Sequence, residues 1–173
     1  RNLRKNNNFK TVALIGYTNA GKTLLFNKLT KKKQSSRSRL FETLDTKISR
    51  VYLGENIYIG LIDTVGFINN IPTSLIESFK ATLEEVNTAD ILLNIVDIND
   101  LNAKQKIRVT KNILKDTGVD KNKISEMITI YNKIDLKEFK SSHHYKKNYI
   151  SALTGEGVSD LKRTLKNSLI LLH

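Results

Sequence analysis

The stretch Gly16-Tyr17-Thr18-Asn19-Ala20-Gly21-Lys22-Thr23 decides how this chain is read. It carries the spacing G-x-x-x-x-G-K-[ST]. An apolar run, Thr11–Ile15, precedes it and reads as a strand; Lys22–Leu29 follows and reads as a helix. A glycine-rich turn between a strand and a helix can wrap its backbone closely around phosphate groups. Its successive N–H groups and the N-terminus of the helix then face the anion. Lys22 is placed to neutralise β- and γ-phosphates and the Thr23 hydroxyl to ligate Mg²⁺, with Leu24 continuing the segment into the helix. A chance glycine-rich turn is the competing reading. It must place two glycines, a lysine and a threonine at fixed offsets between these two elements.

Outward from this loop, apolar runs alternate with amphipathic stretches. Lys31–Leu40 is basic and aperiodic, hence a loop, and Lys47–Leu53 and Ile57–Ile62 flank Gly54-Glu55-Asn56 as a β-hairpin. Ser74–Val86 reads as a helix: Ser74 and Glu77 have capping-box spacing, and Leu75, Phe79, Leu83 and Val86 share a face. Ile91–Val96 is a buried strand, and Ala103–Leu114 a helix with Ala103, Ile107, Thr110 and Leu114 inward. Ser125–Tyr131 and Asn148–Ser151 read as further strands, and Val158–Leu172 as a closing helix with Val158, Leu161, Leu165, Leu169 and Leu172 inward. The pattern predicts an α/β fold: a three-layer domain with a mostly parallel sheet of about six strands and one antiparallel hairpin strand. Ligands should bind at the carboxyl ends of the strands. Residues 1–10 read as a basic linker from a missing N-terminal region, and 11–173 as the domain.

Three further motifs follow in order. Asp63-Thr64-Val65-Gly66 closes the Ile57–Ile62 strand, where an Asp holds Mg²⁺, usually through water, and a Gly N–H senses a γ-phosphate. Asn132-Lys133-Ile134-Asp135 follows the Ser125–Tyr131 strand. A carboxylate at Asp135 can accept from both guanine N1–H and the exocyclic amino group, a pattern adenine lacks, while the Lys133 stem lies over the base plane. Ser151-Ala152-Leu153 follows the final strand, and its N–H groups would meet the guanine carbonyl. Asp63–Gly66 and Ser151–Leu153 are weak alone, and a polar turn after a strand is the competing reading of Asn132–Asp135; at a strand end, in order behind the glycine loop, the first becomes strong and the polar-turn reading of the second recedes.

The formal charge of the 173 residues is +12. A polyanionic partner such as RNA would account for it. So would compositional bias, because Lys, Asn and Ile are abundant while Pro, Ala and Gly are scarce; the two readings stand level. The chain has no cysteine, which removes disulfides and thiolate metal sites. No apolar run approaches the ~18 residues of a membrane span. The opening stretch has neither a signal-peptide nor a transit-peptide pattern. A monomer in the cytoplasm or in an organelle (mitochondrion or plastid), not secreted, is expected.

The four motifs in this order resemble the translation-factor-like P-loop GTPases, and more closely the HflX family of ribosome-associated GTPases. The residues carrying that resemblance are Gly16–Thr23 with Leu25-Phe26-Asn27, then Leu40-Phe41-Glu42-Thr43-Leu44-Asp45, Asp63–Phe67, Phe79–Val86 and Ser151–Gly157. The resemblance implies a G domain that binds GTP and GDP with Mg²⁺ and hydrolyses GTP. It also implies a further N-terminal domain and a partner in the large ribosomal subunit or its rRNA. Phe41, Glu42, Thr43, Leu44 and Asp45 are similar to the family's switch I, so Thr43 would close on Mg²⁺ beside Thr23 and Asp63. Bottom-up, Thr43 is only a loop threonine. Lys22, Thr43 and Gly66 would serve the transferring phosphoryl group. In several similar GTPases an Asn at the position of Asn19 helps hold K⁺; Asn also suits a tight turn.

Phe67 stands where Ras-like enzymes have a Gln that orients the attacking water. Phe cannot hydrogen-bond water, so intrinsic turnover should be slow. Three departures from the family pattern are Thr46 where Pro is usual, Asn94 where His is usual and Leu153 where Lys is frequent. Lys28, Lys31, Lys32, Lys33, Arg37 and Arg39 form a basic cluster, either an RNA-facing patch or a solvated loop. His143 and His144 lack the neighbours of a metal site. The rival functional reading is a nucleotide-gated binding module with negligible turnover. An ATP-dependent motor or kinase is opposed by Asn132–Asp135.

Overall fold

The computed structural model describes residues 10–31, 47–66, 83–136 and 148–170. Strand β1 (Thr11–Ile15) leads through the glycine loop into α1 (Lys22–Thr30). Strands β2 (Lys47–Gly54) and β3 (Ile57–Asp63) form the hairpin; residues 83–88 are helical (α2) and lead to β4 (Ile91–Asp97). Helix α3 (Ala103–Asp116), a short α4 (Lys121–Ser125), β5 (Ile128–Asn132), a 3-10 turn (Ile134–Leu136) and α5 (Val158–Ile170) complete the described order.

The strands form one sheet in the order β2-β3-β1-β4-β5, with β2 antiparallel to β3 and the other pairs parallel. Parallel pairing buries both faces of a sheet, which is why β1 and β4 are almost continuously apolar. Alternate residues of β1 enter two cores. Val12 and Leu14 pack with Leu25 and Phe26 of α1 and with Leu161, Leu165 and Leu169 of α5. Ala13 and Ile15 face the other way, with Val86 of α2, Leu92 of β4, Leu114 of α3 and Met127. The three layers are thus α1 and α5, the sheet, and α2 to α4. Among the α3 residues expected inward, Thr110 and Leu114 are buried, while Ala103 and Ile107 are half-buried.

Two expected strands differ from the structure. Ser125 closes α4 rather than opening a strand, because Asp120 caps a helical turn by accepting from the N–H groups of Asn122 and Lys123. Strand β5 therefore starts at Ile128. The stretch Asn148–Ser151 is reduced to a single parallel bridge between Tyr131 and Tyr149, and Asn148 has φ 88°, outside the extended range. The sheet has five strands with this bridge where a sixth was expected.

Candidate nucleotide site

The parallel strands β1, β3, β4 and β5 deliver their carboxyl ends to one edge of the sheet, and four loops meet there. The chain leaves β1 at Gly16 with φ 136°, and a Cβ on this residue would lie 2.3 Å from the Ile95 carbonyl oxygen of β4. Gly21 caps α1 with φ 93°, and a Cβ there would lie 2.3 Å from Nδ2 of Asn132. Only glycine meets both demands, a left-handed backbone and no side chain. Asn19 takes φ 61° and is exposed, as a turn asparagine does. Lys22 is 6% exposed, and its ammonium donates to the carbonyls of Gly16 (3.1 Å) and Tyr17 (2.9 Å). The lysine thus sits inside the curve of the loop that precedes it.

Asp63 ends β3 in register with Leu14 of β1 and is fully buried. The Thr64 hydroxyl donates to the Leu14 carbonyl at 2.5 Å and ties the chain leaving β3 to β1. Gly66 lies against the phosphate loop: a Cβ there would be 2.8 Å from Nζ of Lys22 and 2.9 Å from Cα of Thr18. Val65, between them, is buried. Thr23 and Asp63 offer a hydroxyl and a carboxylate, hard oxygen donors of the kind Mg²⁺ takes. Mg²⁺ bound with a nucleotide needs only one or two protein ligands. No group of three or more His, Cys, Asp or Glu that could cage a metal exists among the described residues. The donor set and the closeness of Gly66 to Lys22 fit a phosphate-bound ion.

The base-side loops are joined through one side chain. Asn132, 1% exposed at the end of β5, donates from Nδ2 to the Ala20 carbonyl (2.9 Å) and accepts at Oδ1 from the Ala152 N–H (2.9 Å). It links the phosphate loop to the Ser151-Ala152-Leu153 loop. Lys133 has φ 69° and its ammonium pairs with Asp97, the last residue of β4, at 2.8 Å. Asn99 fixes both partners, donating from Nδ2 to Oδ1 of Asp97 (3.2 Å) and to the Lys133 carbonyl (3.0 Å). Burial pushes the Asp97 carboxyl up, but the hydrogen bonds from Lys133 and Asn99 outweigh it and hold the group below the usual aspartate value. Ile134 is buried, whereas Asp135 in the 3-10 turn is exposed and open to a ligand.

In the last loop the N–H groups are mostly taken. Ser151 donates to the Glu156 carbonyl (3.0 Å), Ala152 to Asn132, and Thr154 to Oγ of Ser151 (3.0 Å). Leu153, between them, is exposed. Lys28, expected within the basic cluster, reaches the other way: its ammonium donates to the carbonyls of Leu153 (3.3 Å) and Thr154 (3.2 Å). Asp97 and Asn99 escaped the sequence reading, and Lys28 was read only as part of the basic cluster. Asp97 had a usable signal, an acid ending the buried run Ile-Leu-Leu-Asn-Ile-Val-Asp; Asn99 had none. Phe41–Asp45, Phe67, His143, His144 and the rest of the basic cluster except Lys31 lie outside the described residues.

A phosphate loop closed on a lysine, clamped from one side by Gly66 and from the other by Asn132, defines the class as a P-loop G domain. Comparison with known proteins narrows it. A family model described as "50S ribosome-binding GTPase" matches residues 11–133. GTPase HflX of Caldanaerobacter subterraneus subsp. tengcongensis is 40% identical over 169 residues, covering 98% of this chain and 39% of that protein. GTPase HflX of Escherichia coli is 36% identical over 166 residues, 92% of this chain and 38% of its own length. The Sulfolobus solfataricus GTP-binding protein solved with GDP superposes with a TM-score of 0.71 at 25% identity, covering 95% of this chain and 53% of that one. The chain belongs to the 50S ribosome-binding GTPase family, on its HflX branch. It spans about two fifths of the length of these HflX relatives. No described helix is long and apolar enough to cross a membrane.

Proposed function

We propose that this chain is the G domain of a ribosome-associated enzyme that binds GTP with Mg²⁺ and hydrolyses it to GDP and phosphate. The observation carrying this reading is the approach of Gly66 to the Lys22 ammonium across two separate elements. The residue suited to sense a γ-phosphate and the residue suited to neutralise it lie at one point. Lys22 there exchanges its bonds to two neutral carbonyls for stronger, charge-assisted bonds to phosphate oxygens. Backbone N–H groups of Thr18–Thr23 and the N-terminus of α1 complete the cradle. Thr23 and Asp63 would hold Mg²⁺, as would Thr43 of the segment that resembles switch I; the ion, when bound, would neutralise charge developing on the phosphoryl oxygens.

On the base side, Asp135 accepts from guanine N1–H and the exocyclic amine, and the Leu153 N–H donates to the guanine carbonyl. The Lys133 stem covers the base, its head steadied by Asp97. Asn132 acts chiefly as the staple that keeps the phosphate and base loops at a fixed distance. In hydrolysis, water oxygen bonds to the γ-phosphorus while the bond to the β–γ bridging oxygen breaks, and the water proton leaves with phosphate or solvent. Phe67 gives that water no hydrogen bond. Turnover by the chain alone is therefore slow, and the large ribosomal subunit or its rRNA supplies the missing alignment. The formal charge of +12 suits such a polyanion. A K⁺ ion near Asn19 would add positive charge at the phosphates. The site of action is wherever ribosomes are, the cytoplasm or an organelle.

Phe67 also favours a second reading, a nucleotide-gated binding module whose turnover no partner accelerates. GTP turnover measured with and without purified large subunits separates the two, with Lys22→Ala as the control for contaminating activity. Acceleration by about ten-fold or more, on the way to the roughly thousand-fold that activating partners achieve, is expected. Turnover unchanged by subunits would give the field to the gated module.

A further inference from the structure

Between loop residues 17–20, the end of β4 and the first turns of α3 lies a cavity of about 190 Å³. Tyr17, Thr18, Asn19 and Ala20 of the phosphate loop line it, whereas Lys22, Thr23, Asp63, Asn132 and Asp135 do not, so it backs onto the nucleotide site through that loop. Two of its lining side chains are in an unusual condition. Asn94 on β4 and Thr110 on α3 are each 1% exposed. Neither polar atom of the Asn94 amide, nor the Thr110 hydroxyl, has a hydrogen-bond partner among the described residues. Buried polar groups are almost always satisfied. Asn94 interrupts an otherwise apolar strand, Ile-Leu-Leu-Asn-Ile-Val.

The charges around the cavity cancel in pairs. Lys106 is bonded to Asp100, and Asp97 to Lys133. The Lys106 ammonium also lies 5.1 Å from the centre of the Tyr17 ring, which forms an aromatic part of the wall. What the cavity offers is therefore neutral: an amide edge with one donor face and one acceptor, a hydroxyl that can do either, and a ring. At about 190 Å³ it exceeds many times over the roughly 10–15 Å³ that one buried water needs. It is also smaller than the roughly 300 Å³ and upward of drug-sized sites.

We infer that this cavity is a second ligand site, for a small neutral molecule presenting a carboxamide or lactam edge to Asn94 and Thr110. The ligand's N–H meets the Asn94 carbonyl oxygen, its carbonyl meets the Asn94 N–H, and the Thr110 hydroxyl takes the remaining lone pair. Tyr17 connects this site to the nucleotide, because its carbonyl accepts from the Lys22 ammonium at 2.9 Å. Occupancy thus changes the rate at which GDP leaves the phosphate loop.

The test is a titration of the full, isotope-labelled chain, loaded with GDP, with nicotinamide and with nicotinate, which share a shape and differ in amide against carboxylate. The expected result is saturable backbone shifts centred on Asn94, Thr110 and Tyr17 with nicotinamide. Nicotinate should bind at least about ten-fold more weakly, because no uncancelled cation awaits its charge. GDP release should change by about five-fold at saturation. Asn94→Leu should abolish the response, and Thr110→Val, which keeps the side-chain shape, should weaken it. No saturable shift, meaning that the cavity holds only water, overturns the inference. So does an equal response to nicotinate, or binding undiminished in the variants. An unchanged GDP release rate overturns the coupling. If Asn94→Leu fails to fold, Thr110→Val and the pair of probes decide the question.

Discussion

At the phosphate loop the geometry is held by side chains that are missing, whereas at the base-side loops it is held by side chains that are present. Gly16 and Gly21 leave gaps into which the Ile95 carbonyl and the Asn132 amide project, at distances no Cβ tolerates. Opposite them, Asn132, Asp97, Asn99 and Lys28 tie three loops together through hydrogen bonds and an ion pair. Steric requirements are nearly absolute, because overlapping atoms must move the backbone. Hydrogen-bonded ties are graded, because each has a finite cost and water can replace part of it. A phosphate chain is the same in every nucleotide and suits the rigid solution. A base must be told from its rivals, and discrimination needs donors and acceptors.

The difference orders the expected effects of substitution. Gly16→Ala puts a methyl against the Ile95 backbone on a residue with φ 136°, so both the loop and β4 must shift. A loss of about 3 kcal/mol or more in stability is expected, with GDP binding gone. A urea melt and a fluorescent-GDP titration would measure both, and near-normal affinity would break the steric half of the contrast. Asn132→Ala leaves the Ala20 carbonyl and the Ala152 N–H unpaired. At about 1–3 kcal/mol for each stranded group, GDP affinity should fall on the order of a hundred-fold, by calorimetry.

In the proposed role of Asp135, Asp135→Asn removes one of the two acceptors offered to guanine. GDP should bind on the order of thirty-fold more weakly, while xanthosine diphosphate, whose extra carbonyl can accept from the new amide, should gain. Equal losses for both nucleotides would show that Asp135 shapes the loop and does not read the base.

Asp97→Asn should cost less, about 1 kcal/mol or below, because the pair with Lys133 is partly solvated. The Asp97 carboxyl titrates below its ordinary value in the folded chain: burial raises it, and the bonds from Lys133 and Asn99 lower it further than that. Its stabilisation is complete above the unfolded value and fades as pH falls through the folded one. The gap between parent and variant in chemical melts should therefore hold from pH ~7 to ~5 and close below pH ~4. A gap that persisted in acid would assign the effect to packing. The smallest effect is expected from exchanging K⁺ for Na⁺, a few-fold fall in GTP turnover if an ion near Asn19 assists. Equal rates would leave Asn19 as a turn residue, a role its φ of 61° already suits.

Much of the fold was legible because it is local. Apolar runs marked β1, β3 and β4 to within a residue, and the stripe Val158, Leu161, Leu165, Leu169 marked the buried face of α5. The errors arose where a short polar signal overrode an apolar run. Asp120 capped a turn of helix that took Ser125 out of the next strand, and the left-handed Asn148 reduced the last strand to a bridge. Lys28, read as part of a basic surface, is exposed and also spans from α1 to the loop after the bridge at Tyr149, a tie its sequence position did not show.

By itself the sequence determined the kind of site: a glycine loop between a strand and a helix, then an Asp and a Gly at a strand end, then Asn132-Lys133-Ile134-Asp135 after another strand, in a fixed order. Those signals survive in one dimension because each needs only neighbours, a few residues of spacing and the turn chemistry of glycine. The tertiary structure alone decided how the pieces hold one another. Asn132 meets Ala20 across 112 positions, Lys28 meets Leu153 across 125, and Asn94 and Thr110 come from a strand and a helix to share one cavity. The physical reason is that hydrogen bonds reach only about 3 Å. Which polar groups find partners, and which are left for a ligand, follows from how the layers pack.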